Sequence, residues 1–165
     1  MCIRDRGYEI ASEVPVGVMV EVPSTIWVLD QILAEVDFIS VGTNDLVQYL
    51  LAVDRDNPLV SKLYEPYHPA VIRALSSIAT QARAAGKPCT VCGEIAGESA
   101  FALLLMGMGY SGVSLAPHFL AEVRFGVRNS SLEGLQGLVR QALKADGPGQ
   151  IRSLLGDLVL ELDRA

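Results

Sequence analysis

Gly17-Val18-Met19-Val20-Glu21-Val22-Pro23 and Ile39-Ser40-Val41-Gly42-Thr43-Asn44-Asp45-Leu46 each run up to a carboxylate where an apolar alternation stops. In both, small or polar side chains (Gly17, Met19, Glu21; Ser40, Gly42, Asn44) alternate with aliphatic ones (Val18, Val20, Val22; Ile39, Val41). A strand with period two therefore turns one greasy face and one mixed face outward. The greasy face is expected to pack on helices. The other face is expected to deliver Glu21 and Asp45 to a common mouth, a metal site on the strand ends of an α/β barrel, where (β/α) barrels place their chemistry.

Outward from these stretches, strand and helix alternate four times. Strands are expected near 16–21, 38–42, 89–92 and 112–116, the third ending in Cys92-Gly93-Glu94. Ser24 is the expected N-cap of a helix carrying Ile26, Leu29, Ile32, Leu33 and Val36, and Pro69 opens a second that Gly86 stops. A stripe of Leu46, Tyr49, Leu50 and Val53 follows the second strand, and Ser99 to Met106 forms a short helix. Three more helices are expected: one near 118–128, one over 131–144 opened by a Ser130-x-x-Glu133 capping box, and an amphipathic one carrying Ile151, Leu154, Leu155, Leu158, Val159 and Leu162.

Four βα units make the C-terminal half of a (β/α)8 TIM-type barrel, here followed by C-terminal helices. Half a barrel cannot close its own sheet, so both edge strands and the inner face are expected to be open, with poor solubility or self-association as the consequence. Residues 1–6 join nothing in the pattern and read as a non-native or truncated start. Residues 7–145 read as the partial barrel, and 146–165 as a linker, Asp146-Gly147-Pro148-Gly149, with a C-terminal amphipathic helix.

Composition narrows the function. Of 165 residues half are hydrophobic, enough for one sizeable core. A net charge of −6 argues against a nucleic-acid surface. No apolar run is long enough for a membrane span. With three cysteines in no even framework and no apolar leader, a cytoplasmic, reduced setting is the expectation.

Three further patterns invite chemistry and are set aside. Cys89-x-x-Cys92 has redox or zinc spacing, yet three residues along a strand send the thiols to opposite faces. Gly107-Met-Gly-Tyr-Ser-Gly112 matches GxGxxG but follows a helix and precedes a strand, the reverse of the dinucleotide setting. His68 and His118 are the only histidines, and both read as polar surface or mouth residues.

Gly17 to Pro23, Val36 to Arg55 and Cys92-Gly93-Glu94 together resemble the phosphoenolpyruvate-utilising enzymes, most closely the enzyme I group of the bacterial phosphotransferase system. The specific core is Thr43-Asn-Asp-Leu-x-Gln-Tyr-x-Leu-Ala-Val-Asp-Arg55, and the likeness runs from about Gly7 to the end. Leu63 to Leu75 is more similar to the nitrogen-related branch than to the sugar-transporting one. The resemblance implies transfer of a phosphoryl group from phosphoenolpyruvate to a histidine, relayed to a phosphocarrier protein, with release of pyruvate. It implies that Glu21 and Asp45 hold Mg²⁺, that Asn44 and Arg55 contact the phosphate, and that Cys92 protonates the enolate carbon. It also implies a homodimer for the full-length parent. Neither histidine here sits in the Gly-rich Thr-Ser-His setting of the family's phosphorylated residue, so that domain would lie upstream and the fragment alone would be inactive. Ala116-Pro117-His118-Phe119-Leu120 stands where the family more often has a small polar run.

Each residue also has a plainer reading. Glu21 suits a helix start, Asn44-Asp45 suits a helix cap, Arg55 can pair with Asp54 or Asp56, and Cys92 can be a small buried hydrophobe. Two other functions remain open: the barrel of a pyruvate phosphate dikinase or phosphoenolpyruvate synthase, and a non-catalytic regulatory module. Mg²⁺-dependent lyases of similar plan are more distant, since they would not need Cys92.

Overall fold

The two opening stretches become adjacent parallel strands, β1 (Gly17–Val20) and β2 (Phe38–Gly42), in register from Gly17 opposite Phe38 to Val20 opposite Val41. They belong to a computed structural model that describes Gly7 and residues 13–162, with side chains described to residue 159. Residues 1–6 and the Leu162 side chain thus lie outside the described part. Strands β3 (Cys89–Cys92) and β4 (Gly112–Ser114) complete a four-stranded parallel sheet in the order β1-β2-β3-β4. Chain order equals spatial order, as in a barrel wall. The architecture is that of half a (β/α) barrel.

Helices cover one face of the sheet. They are α1 (Leu29–Glu35), α2 (Thr43–Leu51), α3 (Pro69–Ala84) and α4 (Ser99–Met108) after the successive strands, then α5 (Leu120–Asn129), α6 (Leu132–Ala142) and α7 (Pro148–Leu162). Val20, Ile39, Val41, Cys89 and Val91 are buried against them together with Leu33, Ile72, Leu75, Ile78, Leu104 and Leu105. Each fully buried aliphatic side chain contributes about 1.5–3 kcal/mol. Helix α4 is apolar nearly all round because it is enclosed by α3, α5, α6 and α7. Ile151 and Leu155 of α7 join the same core. The opposite face carries Met19 (48% exposed), Phe38 (36%), Ser40, Thr90 and Cys92, and no helix among the described residues covers it.

Several boundaries differ from expectation. Ser24 caps no α-helix: Pro23–Val28 is a 3-10 segment, tightened by Thr25, whose N–H and Oγ1 both donate to the Val22 carbonyl, and α1 starts only at Leu29. The helix carrying this stripe ends at Leu51, where Ala52 takes a left-handed conformation (φ 52°); Leu46 and Val53 are buried but Tyr49 is 62% exposed. The expected helix near 118 begins as a 3-10 turn over Pro117–Phe119. The cap of α6 is Ser131, whose Oγ accepts from Gly134 N at 3.1 Å, whereas the Ser130 hydroxyl is buried without a partner. The capping signal is thus displaced by one residue. By contrast, α3 does end at a glycine in the left-handed region, Gly86 (φ 67°), and the Gly107–Gly112 stretch is a helix stop and turn, with Gly109 (φ 104°) capping α4 before β4.

Candidate active site

Register alone aligns the strand ends. Gly42 pairs with Cys92 and Cys92 with Ser114, while Glu21 follows Val20, the partner of Val41. Glu21 therefore emerges beside Gly42. Its carboxylate leans over that residue, since a Cβ on Gly42 would stand 2.9 Å from Glu21 Oε2 and 3.2 Å from Glu21 Cβ. Glutamate can lie across the sheet there only because position 42 has no side chain.

The turn from β2 into α2 ties two strand ends together. Thr43, 1% exposed, donates its hydroxyl to the Cys92 carbonyl at 2.8 Å. Asn44 Oδ1 accepts from Glu94 N at 3.1 Å, so this side chain reaches across to the next unit instead of capping its own helix. Gly93 (φ 118°) lies between them, and a Cβ there would run into Thr43 Oγ1 and Asn44 Oδ1. A relay of side chains then leads outward from Asp45 in the first turn of α2. Gln48 Nε2 donates to Asp45 Oδ1 at 3.0 Å, Gln48 Oε1 accepts from Arg55 N at 3.0 Å, and Arg55 Nη1 pairs with Glu94 Oε1 at 3.0 Å. Arg55 thus bonds neither Asp54 nor Asp56.

Cys92 is half-buried on the open face. Its Sγ donates to the Val41 carbonyl at 3.5 Å and receives Ser40 Oγ–H at 3.9 Å. Cys89 points the other way into the core, where burial pushes its thiol up to about 12. Both are free thiols on opposite faces, so the pair makes neither a disulfide nor a chelate. A cleft of about 650 Å³ opens beside Cys92, lined among others by Asn44, Glu94, Ser114, His118 and Phe119. His118 packs against Phe119 with ring centroids 3.9 Å apart and ring planes tilted by 47°. His68 instead caps α3, its Nδ1 accepting from Ala70 N at 3.1 Å.

Asn44 and Cys92 therefore share one cleft wall, Asp45 and Arg55 are joined through Gln48, and Glu21 stands over the neighbouring strand end. Sequence reasoning overlooked Gln48, Glu94, Ser40, Thr43 and Tyr64. Tyr64 is half-buried near Arg55, Glu94 and Asp45; burial raises its phenol, Arg55 lowers it, and the two carboxylates raise it further. Gln48 was findable from its spacing, three residues beyond Asp45 on a helix. Glu94 and Ser40 needed the cross-strand register.

Residues 2–132 match the family model described as PEP-utilising enzyme, PEP-binding domain. Over 161 residues the chain is 40% identical to multiphosphoryl transfer protein 1 of Escherichia coli, covering 98% of this chain and 19% of that protein. It is 38% identical over 154 residues to the phosphoenolpyruvate-protein phosphotransferase of Cupriavidus necator, covering 93% of this chain and 26% of that protein. To a protein of Salmonella typhimurium named phosphoenolpyruvate-dependent phosphotransferase system it is 42% identical over 137 residues, 83% of this chain and 18% of that protein. The chain thus spans about a fifth to a quarter of the curated relatives it matches. A parallel sheet with its polar residues gathered at the strand ends, and a family model that covers most of its length, make this chain a member of the phosphoenolpyruvate-utilising enzymes, within their phosphoenolpyruvate-binding domain.

Proposed function

We propose that this chain is the phosphoenolpyruvate-binding part of a phosphoenolpyruvate-protein phosphotransferase of the enzyme I kind, which moves the phosphoryl group to a histidine and releases pyruvate. The observation that carries the reading is the convergence of Asn44, Cys92 and the Asp45–Gln48–Arg55 relay on one end of the sheet. The printed names of the relatives favour a protein phosphotransferase over a dikinase or synthase.

Arg55 grips the phosphoryl oxygens with its guanidinium fork. Asn44, its Oδ1 held by Glu94 N–H, offers its amide N–H to the same group. The bridging C–O–P unit breaks at phosphorus, the phosphoryl group passes to the histidine, and the electron pair stays on the enolate. Cys92 then gives its thiol proton to the enolate methylene carbon, which makes the pyruvate methyl group. The resulting thiolate recovers a proton from solvent through the open cleft. Neither His68, occupied as a helix cap, nor His118, packed against Phe119, is the phosphoryl acceptor in this account, and that histidine comes from an upstream domain that also docks the phosphocarrier protein.

Two carboxylates from adjacent units, Glu21 and Asp45, suit a hard cation that takes one or two protein carboxylates and completes its shell with substrate oxygens. Glu21 and Asp45 would hold Mg²⁺, and the space over Gly42 accommodates the glutamate. When bound, Mg²⁺ neutralises charge on the substrate oxygens. Among the described residues no helix is long and apolar enough to cross a membrane, and the reading places the protein in the cytoplasm as a homodimer.

The test is isotope exchange between phosphoenolpyruvate and pyruvate in the full-length protein carrying this chain, beside direct binding of phosphoenolpyruvate. Cys92→Ala is expected to lose about 10²–10⁴-fold in pyruvate formation, the worth of general acid help, with binding retained. Asp45→Ala is expected to lose metal-dependent binding and transfer together. Parental turnover in Cys92→Ala would overturn the assigned role.

A further inference from the structure

Arg55 has an anion on it already. Its guanidinium, the group read above as the phosphate grip, is paired with the Glu94 carboxylate at 3.0 Å. The two partners are held very differently. Arg55 is anchored through its backbone N–H to Gln48, and its side chain is 33% exposed. The Glu94 side chain is 83% exposed and has no other hydrogen-bond donor within the described residues, while its backbone stays fixed by the N–H bond to Asn44 Oδ1. The carboxylate can therefore swing into solvent without moving the loop that carries it. Asn44 stays held meanwhile.

We propose that Glu94 is a placeholder for the phosphoryl group: its carboxylate occupies Arg55 while the cleft is empty, and a phosphate-bearing ligand takes over the guanidinium as Glu94 swings out. This rests on the reading of Arg55 as the phosphate grip. Three features fit the role. Carboxylate and phosphoryl oxygens present the same acceptor geometry to a guanidinium fork. An exposed ion pair is worth little, so exchange is easy. Glu94 also lines the cleft beside Cys92 and Asn44, so a phosphoryl group entering that cleft on its way to Arg55 meets this carboxylate.

The experiment compares the full-length protein with its Glu94→Gln, Arg55→Ala and Asp56→Asn variants by titration with phosphoenolpyruvate, inorganic phosphate and pyruvate in the presence of Mg²⁺. Glutamine keeps the size and removes the competing charge. Glu94→Gln is expected to bind phosphoenolpyruvate and inorganic phosphate about two- to fivefold more tightly, the range an exposed ion pair sustains, with pyruvate affinity unchanged because pyruvate has no phosphoryl group. Asp56→Asn removes an exposed acid next to Arg55 and is expected to change nothing. Equal or weaker phosphate binding in Glu94→Gln overturns the proposal, as does tightening that pyruvate or Asp56→Asn shares, which would mark a general field effect. Phosphoenolpyruvate binding that survives Arg55→Ala overturns the phosphate-grip reading itself, and the placeholder with it. Loss in Arg55→Ala without a gain in Glu94→Gln overturns the placeholder alone.

Discussion

Gly42 is where a missing side chain decides a functional geometry. Its backbone (φ −85°, ψ 91°) suits any residue, so the glycine is not needed for the turn. What it leaves is the space that Glu21 Oε2 fills across the sheet. Gly42→Ala is accordingly expected to leave folding stability within about 1 kcal/mol, since no strained φ is involved, yet to displace Glu21 and weaken Mg²⁺-dependent phosphoenolpyruvate binding at least about tenfold. Titration with and without Mg²⁺ checks this, and an unchanged Mg²⁺ requirement would contradict it. At this scale the sequence was legible where strand alternation fixes the face: it separated Cys92 from Cys89 and put Ser40 and Gly42 on one face of their own strand, while their place beside Cys92 came only from the register. It was silent on Gly93, whose φ of 118° serves contacts with Thr43 and Asn44 that come from another strand. Arg55 was read against its chain neighbours Asp54 and Asp56, whereas its partner lies 39 residues on. Pairing of that kind follows from register rather than from local spacing.

Among the elements, the start of α6 shows how a correct motif can be read one residue out of step. Ser130 and Ser131 are chemically equal candidates, and the Glu133 spacing favours the first. Both serines are extended (φ −109°, ψ 147° and φ −95°, ψ 143°), and the structure uses the second, whose Oγ accepts from Gly134 N at 3.1 Å. Ser131→Ala is expected to cost about 1 kcal/mol, the usual worth of an N-cap hydroxyl. Ser130→Ala removes a buried hydroxyl that has no partner and is expected to be neutral or slightly stabilising. Denaturant midpoints of the two variants give the answer, and a larger loss for Ser130→Ala would restore the expected register. Long periodic helices such as α3 were readable throughout because burial enforces their pattern. The 3-10 segments at Pro23–Val28 and Pro117–Phe119 overlap stretches expected as α-helix, since a start signal such as Ser24 does not distinguish the kind of helix.

As a molecule, the chain buries one face of its sheet and leaves the other open. The buried face was readable from composition and alternation. The open face carries the proposed chemistry, and Met19, Phe38 and Thr90 stand around it with no helix of the described residues above them. Relatives four to five times as long carry this segment, and the reading assigns them the rest of the barrel and the phosphorylated histidine. The account then reduces to one claim, that phosphoenolpyruvate sits in the cleft beside Cys92. Cys92 and Cys89 make an internal comparison, because one thiol faces that cleft while burial leaves the other inert. The direct measurement is the rate of Cys92 alkylation by iodoacetamide in the full-length protein, followed by peptide mass spectrometry, with and without saturating phosphoenolpyruvate and Mg²⁺. The account predicts that phosphoenolpyruvate slows Cys92 alkylation at least about tenfold and that Arg55→Ala abolishes this protection. An alkylation rate that phosphoenolpyruvate leaves unchanged would contradict it.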